Sequence, residues 1–309
     1  MNCYVKILIT LTLFLSASLL AHHTRWSSQD DCLAAPAKCI DGLDKELENT
    51  EKFTHHWYGM KNNLLLAIWE AGREERLVAE LADIDHTHGP PVFRTTVLTL
   101  KAKFAVLDKE MELAKALTEQ AVTLIKAVNE VSVNMTRYAE VVVLYNSYLG
   151  DTKQALEFVN WVEDSNVGNT NAVRLSPYHT AVGHLYNNLK DYEKARQFYL
   201  RAADGNLRSK KYLRVASSFH NVARTYQSEK NYEAAIEYFT QAMTYFQQLG
   251  DEYFGVSDYS RIRFAETLYL AGKKTQAKYV FAQIQRDKLG RYFVDAYNEV
   301  AHLLAQEPG

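Results

Sequence analysis

Apolar, small and polar residues alternate along this chain with the period of an α-helix, and the stripes come in pairs. Between Asn231 and Leu249 the positions 235, 238, 239, 242, 245, 246 and 249 are apolar or small. That spacing places them on one face of a helix. Two of them, Ala235 and Ala242, are small within an otherwise aromatic stripe. The first recurs elsewhere: Ala155, Ala195, Ala235 and Ala277 follow one another at intervals of 40, 40 and 42 residues. A second stripe precedes each alanine. It is clearest in Phe219, Val222, Ala223 and Tyr226, repeated as His179, Val182, Gly183 and Tyr186, and looser in Phe264, Ala265 and Leu268 and in Val142 and Val143. A small residue lets two helices lie at the short end of the usual 8–10 Å separation while bulkier neighbours fill the grooves. The pattern therefore predicts antiparallel helix pairs, with the alanines in the core.

The period continues upstream in weaker form. Ala114 and Ala121 predict a second helix of a pair over "KEMELAKALTEQAVTLI", and Leu64–Leu81 reads as a degenerate helix pair. Breaks are expected at Gly150–Asp151, Asp204–Gly205–Asn206 and Gly250–Asp251, where glycine allows left-handed turns. Ser176–Pro177 reads as an N-cap followed by proline at the first helical position. "HGPPV" (His88–Val92) is a rigid interruption that could set an N-terminal section apart. The last apolar stripe, Arg291–Gln306, is expected to cover the end of the array, since terminal units of a stack need a cap.

These residues resemble the tetratricopeptide repeat, in which a large residue, a small one and a tyrosine mark helix A, and alanine–aromatic–alanine marks helix B. The resemblance covers about Tyr138 to Asp287. It implies an all-α, right-handed superhelical solenoid. The period exceeds the usual 34 residues, as in the long repeats of kinesin light chains and bacterial peptide-sensing regulators. The expected organisation is degenerate repeats over 51–136, repeats over 137–290 and a capping helix over 291–309. In this family, helix A residues between the packing positions line a concave face that binds protein or peptide. Carried over position by position, they are Arg137, Glu140 and Tyr148, then Thr180, His184, Asn187 and Asn188, then Ser217, His220, Arg224 and Gln227, and finally Glu266 and Tyr269. Asn, His, Arg and Gln can hydrogen-bond a peptide backbone without demanding one side chain, though each is also at home on an ordinary solvated face. The lysine of the carboxylate clamp found in some members is missing, so recognition of a chain terminus is not implied.

The first 21 residues stand apart from the repeats. Lys6, the apolar run Ile7–Leu15 and the small residues after it have the three-part form of a secretory signal. Cleavage is expected near Ser18 or Ala21, the alternative being an uncleaved anchor, and the body is expected to be exported, to the periplasm or beyond. Residues 22–50 form an N-terminal segment whose Cys32 and Cys39 would pair as a disulfide in an oxidising compartment. The competing reading is a redox or metal pair, against which the spacing lacks the tight two-residue gap of such motifs. A net charge of −2 offers no basic stripe for nucleic acid.

No HExxH, GxSxG, GxxxxGK or dinucleotide fingerprint occurs, so the chain is read as a non-enzyme with no cofactor. Six of its ten histidines precede residue 90: His22, His23, His55, His56, His86 and His88. They are read as solvated, the alternative being zinc or copper held through "DIDHTH". Three functions follow in order: an envelope scaffold or adaptor binding protein on the concave face, a ligand or peptide sensor signalling through a separate membrane partner, and a metal or redox carrier.

Overall fold

The computed structural model describes residues 36–127, 136–165, 172–249, 254–289 and 291–305. The leader (1–21), Cys32, His22, His23 and Gly250–Asp251 lie outside them. Among the described residues there are fourteen α-helices and no strand. Helix α1 (Pro36–Glu48) packs on the first of six antiparallel A/B pairs. The pairs are α2 (His55–Glu70) with α3 (Glu74–Ala82), α4 (Pro91–Leu107) with α5 (Met111–Ala127), and α6 (Thr136–Val143) with α7 (Thr152–Asp164). They continue with α8 (Ala172–Asn188) and α9 (Tyr192–Arg208), α10 (Tyr212–Ser228) and α11 (Tyr232–Gln247), and α12 (Phe254–Leu270) and α13 (Lys274–Phe281). The result is an α-solenoid.

The predicted core is the observed one. Ala114, Ala121, Ala155, Ala195, Ala202, Ala235, Ala242 and Ala277 are all fully buried. Burial is organised as a series of local apolar clusters along the array rather than one centre, the quasi-one-dimensional build of a repeat stack. The first of these runs from Cys39 in α1 through Leu64 and Leu77 to Phe93 and Leu100. It thus crosses the Pro90–Pro91 pair, which opens α4 with Pro90 as N-cap. At the other end α14 (Arg291–Ala305) buries Ala296, Val300 and Leu304 and stacks Tyr297 on Phe281 at 4.6 Å and Phe293 on Tyr259 at 4.7 Å. It is the expected cap.

Each A helix ends in the same way. Residues 72, 109, 150, 190, 230 and 272 all have positive φ, recurring after 37, 41, 40, 40 and 42 residues. Just beyond, the amide of Asp191 donates to the Tyr186 carbonyl, Asn231 to Tyr226 and Lys273 to Leu268, the six-to-one bond of a Schellman stop. The following residue then opens helix B: the side chains of Asp151, Asp191 and Asn231 accept from the amides three residues on, at 3.0, 3.2 and 3.3 Å. The third A helix contains one extra residue, absorbed as a π-helical turn over Leu144–Tyr148, so there the amide of Asp151 reaches Tyr145 instead. Three of the six left-handed positions are lysines: Lys109, Lys190 and Lys230. The left-handed conformation costs an L-residue roughly 1–2 kcal/mol that glycine does not incur. Lys230→Gly is therefore expected to stabilise the protein by about 0.5–1 kcal/mol, measured as a shift of the urea midpoint. A lower midpoint would contradict this account of the turn.

Two expected breaks are helix interiors instead. Gly205 and Asn206 are buried in the last turn of α9, which runs on to Arg208 and stops at Ser209 and the left-handed Lys210. Packing of the buried face outweighs the weak helix propensity of both residues. Ser176 and Pro177 lie inside α8, whose described part begins at Ala172. Pro177 is close enough to the helix start that it disturbs only the first turns.

Candidate functional site

Several polar side chains of the A helices bond to the next A helix in line. Thr96 of α4 donates to Asn62 Oδ1 of α2 at 2.5 Å, and Lys103 of α4 pairs with Glu140 of α6 at 2.5 Å. Asn188 of α8 donates to Asn146 at 3.2 Å, His220 of α10 meets Ser260 Oγ of α12 at 2.9 Å, and Gln227 Nε2 donates to Glu266 at 3.0 Å. Such rungs hold neighbouring repeats in register and pattern the groove with amides, hydroxyls and charges.

Two polar clusters result. In the first, Lys103 is buried with its ammonium 4.7 Å from the Trp69 ring and 5.8 Å from Tyr148 while paired to Glu140. Glu70, at the end of α2, has its pKa raised by burial and by Glu140, against the lowering effects of Lys103 and of Arg214 from α10. A residue of the first pair thus feels one of the fifth, and Glu70 stays solvent-accessible while enclosed by protein. His184 shows the same combination: its ring is open to solvent, yet the surrounding protein lowers its pKa by desolvation.

The second cluster joins α10 and α12. Arg224 bonds to Gln227 Oε1 and lies 3.6 Å from Glu266 Oε2. Arg263 donates to the same carboxylate at 3.1 Å and sits over the Tyr259 ring at 5.5 Å. The neighbouring His220 ring packs between Phe239 and Tyr259 at 5.5 and 5.3 Å, and its pKa is pushed down to about 3, first by burial and then by Arg224, Arg263 and His184. Tyr199 and His184 share a hydrogen bond of 2.8 Å at the edge of this region.

The predicted face is therefore only partly an open one. His184, Asn187, Asn188, Arg224, Gln227, Glu266 and Tyr269 are exposed or half-buried on A helices, as are Glu140, Tyr148, Thr180 and Ser217. Thr180 and Ser217 turn their hydroxyls back to the carbonyls of Ser176 and Leu213. Arg137 and His220 depart from expectation, being 0% and 9% exposed. Arg137 donates to Asn62 Oδ1 at 3.4 Å, its Nε and Nη1 have no partner, and burial lowers its pKa to about 10. Its seclusion depends on Asn62, 75 residues away, which no local pattern discloses. Sequence reasoning also missed Lys103, Trp69 and Arg263. The one available sign was Lys103, one of two lysines in the apolar run of α4, placed 37 residues before Glu140.

Asn187 is distinctive. Its amide makes no side-chain hydrogen bond among the described residues, whereas the groove groups beside it bond to their own pair or to α6: His184 to Tyr199 and Asn188 to Asn146. An amide without a protein partner offers a donor and an acceptor to a passing backbone. A separate cleft of about 380 Å³ lies between the starts of α2 and α4, lined by Tyr58, Gly59, Met60 and Phe93 with His55 and His56 at its rim. His88 and Asp85 close a small exposed turn, Nδ1 to Oδ2 2.7 Å. Among the described residues no group of three or more His, Cys, Asp or Glu side chains could hold a metal ion, and no helix is long and apolar enough to cross a membrane.

Known proteins agree with this architecture. Residues 174–248 match the tetratricopeptide repeat family model. No curated protein is significantly similar in sequence. Among solved structures, a signal-transduction ATPase of the numerous-domains class with a tetratricopeptide-repeat sensor, from Pyrococcus horikoshii, is 15% identical with a TM-score of 0.68, covering 92% of this chain and 43% of that one. Aspartyl phosphate phosphatase F from Bacillus subtilis is 16% identical with a TM-score of 0.59, covering 90% and 77%. A Rap protein complexed with competence and sporulation factor is 13% identical with a TM-score of 0.51, covering 91% and 76%. At these identities the likeness is one of fold. Residues 174–248 are tetratricopeptide repeats, and helix pairs of the same build extend the array on both sides.

Proposed function

We propose that this chain is a non-enzymatic scaffold or adaptor of the cell envelope that holds an extended segment of another protein in its concave groove. The observation that carries this reading is the Asn187 amide, which bonds to no other side chain among the described residues, while polar groups on the same and the next A helix are engaged with protein: Asn188 with Asn146, Arg224 with Gln227 and Gln227 with Glu266. Backbone-matching groups left open at mid-groove suit a chain laid along the A helices, because amide donors and acceptors read a peptide backbone whatever its side chains. The envelope location rests on the leader-like residues 1–21. It goes with a disulfide between Cys32 and Cys39, the latter fully buried in α1.

A photo-crosslinking side chain at Ser217 tests the groove in living cells, with the same group at Lys153, on the outer helix α7, as control. The expected result is one discrete adduct from Ser217, lost in the Asn187→Ala/Arg224→Ala double variant. Equal labelling from both positions, or an adduct indifferent to the double variant, would remove the basis for this function. Fractionating the same cells tests the address: a mature chain beginning near residue 22 is expected outside the cytoplasm, with a mass two hydrogen atoms lower than its reduced form. The likeness to a Rap protein complexed with a signalling factor favours a second reading, sensing of a free peptide and relay through a separate membrane protein. Capture of a short peptide in place of a protein would select it.

A further inference from the structure

We propose that the stretch of groove between α10 and α12 receives an aspartate or glutamate side chain of the segment it binds, an inference that rests on the groove reading above. Two guanidinium groups, Arg224 and Arg263, share a single carboxylate there, Glu266. That carboxylate also accepts from Gln227, so one anion is divided among three donor groups. Among the described residues one positive charge is left without a counterpart, in a chain whose net charge is −2. Arg261, on the same helix as Arg263, is answered: it pairs with the fully buried Asp258 at 2.5 Å. His184 and His220 add no charge at neutral pH, since both have lowered pKa values.

The donors are also incompletely used. Arg263 Nε is buried without a hydrogen-bond partner, and Arg224 makes its bond to Gln227 through Nη1. The Arg224 side chain is 35% exposed, so it can turn toward an incoming group. Arg224 has its own pKa lowered by burial and then by Arg263, while Arg263, against the opposing effect of burial, has its pKa raised by its hydrogen bonds to Tyr259 and Glu266, so Arg224 is the less well neutralised of the two. A carboxylate beside them would relieve that repulsion and accept charge-assisted hydrogen bonds. Because polar groups continue past this point on both sides, from Asn187 on α8 to Tyr269 on α12, the anion is assigned to a side chain and not to a chain end.

The test is fluorescence anisotropy on the full chain with short labelled peptides blocked at both ends. One alternates alanine with aspartate, one replaces aspartate by asparagine, one by lysine, and a fourth has neutral side chains and a free C-terminal carboxylate. The aspartate peptide is expected to bind about tenfold more tightly than its asparagine isostere, with the preference shrinking as salt rises. Arg224→Gln should abolish the preference. Glu266→Gln, which removes the competing carboxylate, should enlarge it, a gain that a damaged fold would not produce. Equal binding of the aspartate and asparagine peptides overturns the proposal. So does binding confined to the free C-terminus, a preference unmoved by either variant, or no binding at all. Equal binding that is lost in Asn187→Ala overturns the acidic specificity and leaves the groove reading standing, while in-cell crosslinking from Ser217 decides that reading by itself.

Discussion

Urea unfolding free energy is expected to fall steeply as pH drops from 6.5 to 4, with two histidines responsible for much of the loss. His220 and His179 are 9% and 8% exposed. Burial, the largest cause in both, lowers their pKa from 6.5 to about 3 and about 4. For His220 the remaining contributions are Arg224 on its own helix, Arg263 from α12 and His184 from α8; for His179 it is Arg201 from α9. In the unfolded chain both imidazoles take up a proton once pH falls below 6.5, while in the folded chain they stay neutral. Protonation therefore favours unfolding throughout the window between the two values. Above 6.5 neither group contributes a slope. Within the window each is worth about 1.4 kcal/mol per pH unit, or roughly 3 kcal/mol at pH 4. Together that approaches the whole stability of an ordinary domain. His179→Phe keeps the aromatic contacts to Tyr178 and Phe198, and His220→Asn keeps a donor for Ser260. Each should flatten the profile by its own share, and the double variant should show only the acid limb of the carboxylates. A double variant with the parental slope would assign the acid sensitivity elsewhere.

The architecture was legible because it depends on short-range rules. Alanines at 155, 195, 235 and 277 report close helix approach directly, and each is fully buried. Of the six left-handed turns only the one at Gly150 was expected from the sequence, although Gly72 and Gly272 carry the same cue. Lys109, Lys190 and Lys230 adopt the same left-handed conformation, but lysine has no preference for it, so the stack imposes the turn against local cost. The reverse holds for Gly205 and Pro177, whose local preferences would break a helix and are overruled by packing on both sides. The groove was legible in position and not in depth. Helix periodicity places Arg137 and Arg224 alike on the A-helix inner wall, yet one is sealed and the other half open. What separates them is the approach of Asn62 and Thr96 from two earlier helices, a consequence of how the solenoid curves. Glu266 shows the same limit: its role comes from three donors gathered out of α10 and α12.

Gly183→Ala should lower stability by about 2 kcal/mol, and Gly183→Val by about 3 kcal/mol, although replacing a glycine inside a helix normally helps by about 0.5–1 kcal/mol. Gly183 sits in α8 at the small position that Ala223 and Ala265 occupy in later pairs. A Cβ there would fall 2.5 Å from Tyr199 Cε1 and 2.6 Å from Cδ1 on α9. The ring cannot retreat easily: it is 2% exposed, and its hydroxyl is bonded to His184. Either α8 and α9 move apart, loosening the Ala195 contact, or Tyr199 gives up its bond at the edge of the groove. Gly59 is the matched control. It lies in α2, where an added Cβ meets nothing within 4 Å, so Gly59→Ala should raise stability by the usual helix increment. Tyr199→Leu, which shortens the opposing side chain, should make Gly183→Ala less harmful than it is alone, a coupling readable in a double-mutant cycle. If Gly183→Ala stabilised the protein as Gly59→Ala is expected to, the close contact between these two helices would not be what the small residue is for.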